Sequence, residues 1–433
     1  MKTFFSLPEF VVKVLQRLLS SGFEAFLVGG CVRDGLLGRR VHDYDVATNA
    51  TPEQVVSLFE SVLCTGLKHG TVTVLTTDSP VEITTYRLDG TYTDGRHPDV
   101  VTFANSVTDD LARRDFTINA MAVDVRGTLV DPFAGTADLS TSTIRAVGLP
   151  SARFREDSLR ILRGLRLSAE LEFTIDEATL TAMYEASHRL KSVSSERIGQ
   201  ELAKIANSNW WFVAGLLASG NWLEDSRPTL VHMKQGIQHL LHRPDVSPSL
   251  ALAWYKTIDS LPVSDPNVRR VGCLATILAV VPNFTESIIT SLTEMAWAKK
   301  QLKVARTAAQ LMQAEIEEWS EARWRQVLFE YESTTVELAC RIYDWMQLGS
   351  TTASRYQNRT CLNLFKQYCA TQPLFKLSDL HINGSDILQL GAKGPLIGSV
   401  QRQLAQDVLA GSVRNSRQAL LNRTRELIEG DGR

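Results

Sequence analysis

Asp43 and Asp45 are separated by one residue and stand ten positions after Arg33, which itself follows a Gly29-Gly30 pair. On a strand, successive side chains point to opposite faces, so residues two apart share a face. Two convergent carboxylates give hard oxygen ligands and leave room for phosphates and water, which is what Mg²⁺ requires. Asp43 and Asp45 are therefore read as catalytic metal ligands. Glu82, in a strand predicted over Val81 to Tyr86, is a third catalytic carboxylate or else a solvent-facing strand residue. An Asp-x-Asp triplet arises by chance about once in 400 residues, so its weight comes from its neighbours. A strand at Ala25 to Val28, stopped by Gly29-Gly30 and followed by a helix, exposes backbone N–H groups suited to phosphate oxygens. Arg33 adds a cation there.

Two further segments carry charge in useful patterns. Arg114, Asp115 and Asn119 fall on a helix predicted over 109–121, within reach of one another. They read as a triphosphate or ribose clamp, or as an exposed ion-paired face. The segment Arg155 to Arg166 is predicted to lie on a helix over Glu156 to Leu171. There Asp157 and Arg160 share a face, and Arg160, Arg163 and Arg166 form a basic row. A structural ion-pair helix would look the same. The chemical reading is sharper. Cytosine and adenine each offer an amino donor beside a ring-nitrogen acceptor, so one carboxylate and one guanidinium can select both. Guanine and uracil present the opposite order.

The elements that must position these groups divide the chain. Its 433 residues suggest about three parts, and 44% hydrophobic with 22% charged residues excludes global disorder. With 46 Lys+Arg against 48 Asp+Glu, the net charge of −2 argues against bulk polybasic gripping of nucleic acid. Local basic patches remain open. Six cysteines without C-x-x-C spacing read as reduced thiols rather than a disulfide or zinc framework. Phe10 to Leu19 follows amphipathic helical spacing with Pro8 at its first turn, which argues against a signal peptide. No run approaches the roughly 18 apolar residues of a membrane span. The expectation is a cytoplasmic protein with no membrane association.

Strands are predicted at Ala25–Val28, Asp43–Val46, Thr71–Leu75, Val81–Tyr86 and Val100–Phe103, with a helix at 53–60 and a mobile loop at Thr91 to Asp99. From about residue 150 the texture is helical: 176–190, 194–205, 210–222, 268–281, 284–313, 321–347, 399–410 and 415–429. The fold class is α+β, a mixed-sheet head over 1–148, a helical neck over 149–206, and a helical body and tail over 207–433.

In their order and spacing these segments resemble the class II tRNA nucleotidyltransferases (CCA-adding enzymes), members of the polymerase-β-like nucleotidyltransferase superfamily. The resemblance rests on Phe26-Leu27-Val28-Gly29-Gly30 with Arg33-Asp34, Asp43-Tyr44-Asp45, Thr65 to Val74, Asp110 to Ala122, Glu156-Asp157 with Arg160, and Ser194 with Glu196-Arg197. It covers at least residues 25–206. Leu380 to Ile387 and Gly391 to Gly398 look like the C-terminal region of shorter bacterial members. The resemblance implies that Gly29, Gly30 and Arg33 contact the triphosphate and that Asp43 and Asp45 hold two Mg²⁺ ions. It places Arg114, Asp115 and Asn119 near triphosphate and ribose. Asp157 and Arg160 would read the base, Arg163 and Arg166 would support the nucleotide, and Glu196 and Arg197 would brace the reading helix. Implied partners are the tRNA 3′ end, CTP and ATP, and the implied reaction adds C, C and A with loss of pyrophosphate. Arg402, Arg414, Arg417, Arg423 and Arg425 form a basic C-terminal stretch that would meet tRNA, or a solvated helix face.

Rival readings share the fold. Enzymes adding only the two C residues lack the loop that Thr91 to Asp99 supplies. Bacterial poly(A) polymerases carry a Gly-basic-basic-Phe run where this chain has Thr65-Gly66-Leu67-Lys68-His69. An enzyme adding only the terminal A has the same motifs. A non-catalytic tRNA-binding protein would not need the full set of carboxylates and arginines.

Overall fold

The computed structural model describes residues 7–66, 70–89, 101–104, 106–242, 254, 257–258, 267–314, 316–347, 360–372 and 374–430. The loop expected at 91–99 lies outside them. The chain divides into two units, Met1–Lys234 with Glu294–Ala296, and Gln235–Thr293 with Trp297–Arg433. The boundaries expected at 148 and 206 both fall inside the first unit.

The first unit opens with α1 (Glu9–Ser20), whose stripe Val11, Val14, Leu15 and Leu18 is buried. Pro8 is its N-cap, one position earlier than expected. Next come β1 (Ala25–Val28), α2 (Gly30–Leu36), β2 (Tyr44–Thr48) and α3 (Pro52–Leu58). Thr51 and Gln54 form a reciprocal capping box that fixes the start of α3. β3 (Val62–Gly66), β4 (Thr71–Val74), β5 (Val81–Thr85), β6 (Arg87–Asp89), β7 (Val101–Phe103) and α4 (Val107–Ala112) follow. The head closes with β8 (Ala122–Val123), β9 (Leu129–Val130), α5 (Gly135–Ser140) and β10 (Thr143–Ile144).

Seven strands form one sheet in the order β3-β4-β5-β2-β1-β8-β9. The β2–β5 pair is parallel and the other pairs are antiparallel, which makes the sheet mixed as expected. In β5, Val81, Ile83 and Thr85 are buried, Glu82 is exposed and Thr84 is half-buried, so alternation sets one face toward the core. The β2–β5 register places Asp45 directly beside Glu82.

The neck contains α6 (Pro150–Glu156), α7 (Leu159–Leu171), β11 (Thr174–Ile175), α8 (Glu177–Ala186) and α9 (Ser195–Asn207). β11 pairs in parallel with β10. Thus the neck is helical apart from two residues that tie it to the head.

Two expected helices that border the cleft are interrupted. The one predicted over 109–121 stops at Ala112, and Thr117–Asn119 is a separate 3₁₀ turn. Between them Phe116 is extended and bridges Ala146, while Val147 N–H donates to the Asp115 carbonyl at 3.1 Å. Pairing with 145–147 replaces the helical hydrogen bonds. The helix predicted from Glu156 begins only at Leu159, because Asp157 is extended and its Oδ1 accepts the Leu159 N–H at 3.0 Å. A local side-chain acceptor competes with the helix there.

The second unit is helical in its described residues, with Val268–Val280, Lys299–Met312, Glu321–Glu330, Ser333–Gln347 and Cys361–Thr371. The helix expected over 284–313 is broken after Glu294, where Ala296 takes a φ of 61°. That expected over 321–347 is two helices. The tail helices Gly384–Gln389, Pro395–Leu409 and Arg417–Gly430 share a core that includes Ile387, Leu404 and Leu420. No single described helix is long and apolar enough to cross a membrane.

Candidate active site

β1 ends at Val28, and Gly29 turns the chain with φ 78°. That conformation disfavours an L side chain, and space disfavours it too. A Cβ on Gly29 would stand 2.8 Å from Arg114 Nη1 and 3.8 Å from Asp45 Oδ2. The close approach brings the backbone turn, a guanidinium and a carboxylate to one point. They border a cleft of about 380 Å³. Its sheet wall is Gly29, Gly30, Asp45, Glu82 and Thr84. The turn after α4 contributes Arg113, Arg114, Asp115 and Asn119, and the neck contributes Asp157, Arg160, Arg163 and Arg197.

Burial pushes the Asp45 carboxyl up to about 6, and the neighbouring Glu82 and Asp43 charges push the same way while Arg114 opposes them. Such mutual repulsion is relieved by a cation. Among the described residues no three acidic, His or Cys side chains enclose a metal by themselves. Asp45 and Glu82, register neighbours that line the cleft, offer two carboxylates, a set that suits a divalent ion taking its remaining oxygens from substrate and water. Asp43 is exposed and is not part of the cleft lining. Asp43 lies one residue before β2, outside the strand that carries Asp45.

Arg114 donates to Asp110 at 3.1 Å, and Arg113 donates to the same carboxylate at 2.6 Å. Asp110 has no exposed side-chain surface. Burial would raise its pKa, but the charges of Arg113 and Arg114 hold it below the ordinary carboxylate value. Asp115 is likewise buried, yet the Arg163 and Arg160 charges hold it far below that value. Arg163 Nη2 lies 2.6 Å from Asp115 Oδ2. Asn119 Nδ2 donates to Asp115 at 3.4 Å, and its Oδ1 accepts from Arg33 at 2.8 Å.

The expected base-reading pair is held from several sides. Asp157 accepts from Arg197 of α9 at 2.7 Å. Arg160 donates to Glu156 at 2.7 Å and to the Arg113 carbonyl at 2.9 Å. These contacts fix the direction of both groups before any nucleotide arrives.

The cleft brings together eleven of the residues singled out from sequence: Gly29, Gly30, Asp45, Glu82, Arg114, Asp115, Asn119, Asp157, Arg160, Arg163 and Arg197. Arg33 does not line the cleft: it grips Asp34 through two 2.9 Å bonds, donates to Asn119 and stands against Gly30, on which a Cβ would lie 3.6 Å from its Nη2. Arg166 is drawn away from the basic row into pairs with Glu201 and Glu170, each at 2.7 Å. Asp157 sits in the break before α7, not on its face. Of the proposed braces, Arg197 holds Asp157, whereas Glu196 is exposed and accepts from Gln200. Thr84 and Arg113 went unnoticed in the sequence. Thr84 was legible, since it stands two residues from Glu82 on one strand face.

The comparisons agree with this geometry. Residues 25–145 match the family described as poly A polymerase head domain, and residues 172–211 match the one described as probable RNA and SrmB-binding site of polymerase A. The chain is 33% identical over 419 residues to a CCA-adding enzyme of Enterococcus faecalis, covering 94% of this chain and 93% of that protein. It is 34% identical over 421 residues to one of Levilactobacillus brevis, covering 95% and 96%. The crystal structure of the Bacillus stearothermophilus CCA-adding enzyme in complex with CTP superposes with a TM-score of 0.76 at 26% identity, covering 100% of this chain and 99% of that one. Nucleotidyltransferases of this kind generally use a divalent metal. With full-length identity above 30% and a cleft that unites carboxylates, a glycine turn and Asp157 with Arg160, the chain belongs to the CCA-adding enzyme family of nucleotidyltransferases.

Proposed function

We propose that this protein adds C, C and A to the 3′ end of tRNA from CTP and ATP in the cytoplasm, with Mg²⁺ as its metal. The observation that carries this reading is that one cleft is lined both by Asp45 and Glu82 and by Asp157 and Arg160.

Asp43, Asp45 and Glu82 are the groups that would hold Mg²⁺. Bound there, the ion supplies a lowered pKa at the attacking hydroxyl and neutralises the leaving oxygens. Gly29 and Gly30 offer backbone to the triphosphate, and Arg114 is fixed beside them by Asp110. Arg163, held by Asp115, lines the same cleft and offers a cation to the nucleotide. Asp157 accepts from the amino group of cytosine or adenine, and Arg160 donates to the adjacent ring nitrogen. The protein thereby positions reactants and stabilises charge, while selection needs no nucleic-acid template.

The test supplies tRNAs lacking CCA, lacking CA and lacking only A with each nucleoside triphosphate in turn. Completion of all three with CTP and ATP is expected. Extension only of the tRNA lacking A would make the protein an A-adding enzyme. Long A tracts would make it a poly(A) polymerase, and binding without extension a non-catalytic tRNA-binding protein.

A further inference from the structure

We propose that the paired hydroxyls of Thr71 and Thr84 bind the ribose at the 3′ end of the tRNA primer through its 2′-hydroxyl, and thereby aim the attacking 3′-hydroxyl. The assignment rests on the nucleotidyl-transfer reading above and adds the primer to it.

The sheet order supplies the first argument. β2, which carries Asp45, lies between β1 and β5. The glycine turn and Arg114 stand on the β1 side, where Arg114 approaches Gly29. In-line displacement places the nucleophile opposite the leaving pyrophosphate. A triphosphate on the β1 side therefore requires the primer to arrive from the side of β5 and β4.

The register supplies the second. Across β2, β5 and β4 the neighbours form two rows, Asp45–Glu82–Thr73 and Ala47–Thr84–Thr71. The intervening residues Val46, Ile83 and Val72 are buried on the other face. Thr84 lines the same cleft as Asp45 and Glu82. Its Oγ1 lies 3.0 Å from Thr71 Oγ1, and both residues are half-buried.

Chemistry supplies the third. Two hydroxyls that share one hydrogen keep a second hydrogen and several lone pairs for a ligand. A neutral donor–acceptor pair suits another hydroxyl better than it suits a phosphate, which favours cations or backbone N–H groups. A ribose 2′-hydroxyl is both donor and acceptor, and it distinguishes RNA from DNA.

The experiment measures single-turnover addition of AMP to tRNA lacking only A, with either a ribo or a 2′-deoxy cytidine at its 3′ end. Both substrates retain the attacking 3′-hydroxyl. Wild type is expected to be roughly tenfold slower on the deoxy primer, the size of one hydrogen bond. Thr84→Val is expected to be slower by about the same factor on the ribo primer, equal to wild type on the deoxy primer, and unchanged in KM for ATP. Thr84→Ser should retain the preference. Thr71→Val reads the same ratio from the neighbouring strand should Thr84→Val fail to fold. Wild-type indifference to the 2′-hydroxyl overturns the proposal, as does equal slowing of Thr84→Val on both primers or a matching change in KM for ATP. Failure of the wild type to extend any tRNA overturns the functional reading as well, which separates the two failures.

Discussion

Asp45 and Asp115 are carboxylates of one cleft whose surroundings pull them in opposite directions. Asp45 is raised to about 6 by burial and by Glu82, whereas Asp115, shielded still more from water, is held low by Arg163 and Arg160. The signs separate their pH dependence. With its folded value above 3.8, Asp45 stabilises the metal-free protein fully only below that value, and this contribution disappears as pH rises through 6. Divalent-ion affinity has the reverse trend, because the ion needs the charged form. Thermal unfolding with and without Mg²⁺ should show stabilisation by the ion that grows between about pH 5 and pH 7. Asp45→Asn should flatten that trend and nearly abolish transfer while tRNA binding persists. Asp115 has a lowered value, so its contribution is full above 3.8 and is lost as pH falls below it. Asp115→Ala strands Arg163, whose side chain is 36% exposed and so recovers part of its hydration. A loss of about 2 kcal/mol in urea unfolding is expected, below the usual cost of breaking a buried pair.

Among the elements, Gly29 bears the tightest geometric demand. Gly29→Ala must accept a positive φ and also displace Arg114. The expected outcome is about 1–2 kcal/mol of lost stability, measured by denaturant unfolding, together with a raised KM for CTP and ATP. The glycine pair was legible in the sequence because a short apolar strand stops there. Strands β1, β2, β4 and β5 were legible from their Val, Ile and Thr content, but the Asp-x-Asp spacing placed both carboxylates on one strand, whereas β2 begins only after Asp43. Strands β8 to β11 were not, because two residues carry no period. The breaks at Asp115–Phe116 and at Asp157 were hidden for another reason. Their local pattern is helical, and what ends the helices is the 145–147 strand segment in one case and the Asp157 side chain in the other. Spacing alone likewise could not show that Arg33 would pair with Asp34, or Arg166 with Glu170 and Glu201.

At the scale of the molecule, a net charge of −2 averages unlike regions. Between Arg145 and Arg166 there are six arginines against Glu156 and Asp157. The C-terminal arginines are partly committed, for Arg417 pairs with Asp386 at 2.5 Å and Arg423 with Asp407 at 2.7 Å. Arg402 and Arg414 are exposed. Affinity for tRNA is expected to fall with salt, less steeply than for a polybasic protein. Replacing Arg402 or Arg414 by Ala should weaken binding and reduce the slope of log affinity against log salt by about one each, read by filter binding across a salt series. A slope unchanged by either substitution would place the tRNA elsewhere.

The parallel β2–β5 pair has a consequence for how the protein matures. Asp45 and Glu82 are joined in sequence by a crossover through α3, β3 and β4, so they become neighbours only when that long connection has closed. Contacts of this kind are slow to form, and here the final approach also brings two like charges together. A divalent ion held by Asp45 and Glu82, as proposed, would bind the closed arrangement and have little to hold in a chain arrested before it, so it would stabilise only the finished sheet. The metal proposed for the chemistry would thereby also be a check on whether folding is complete.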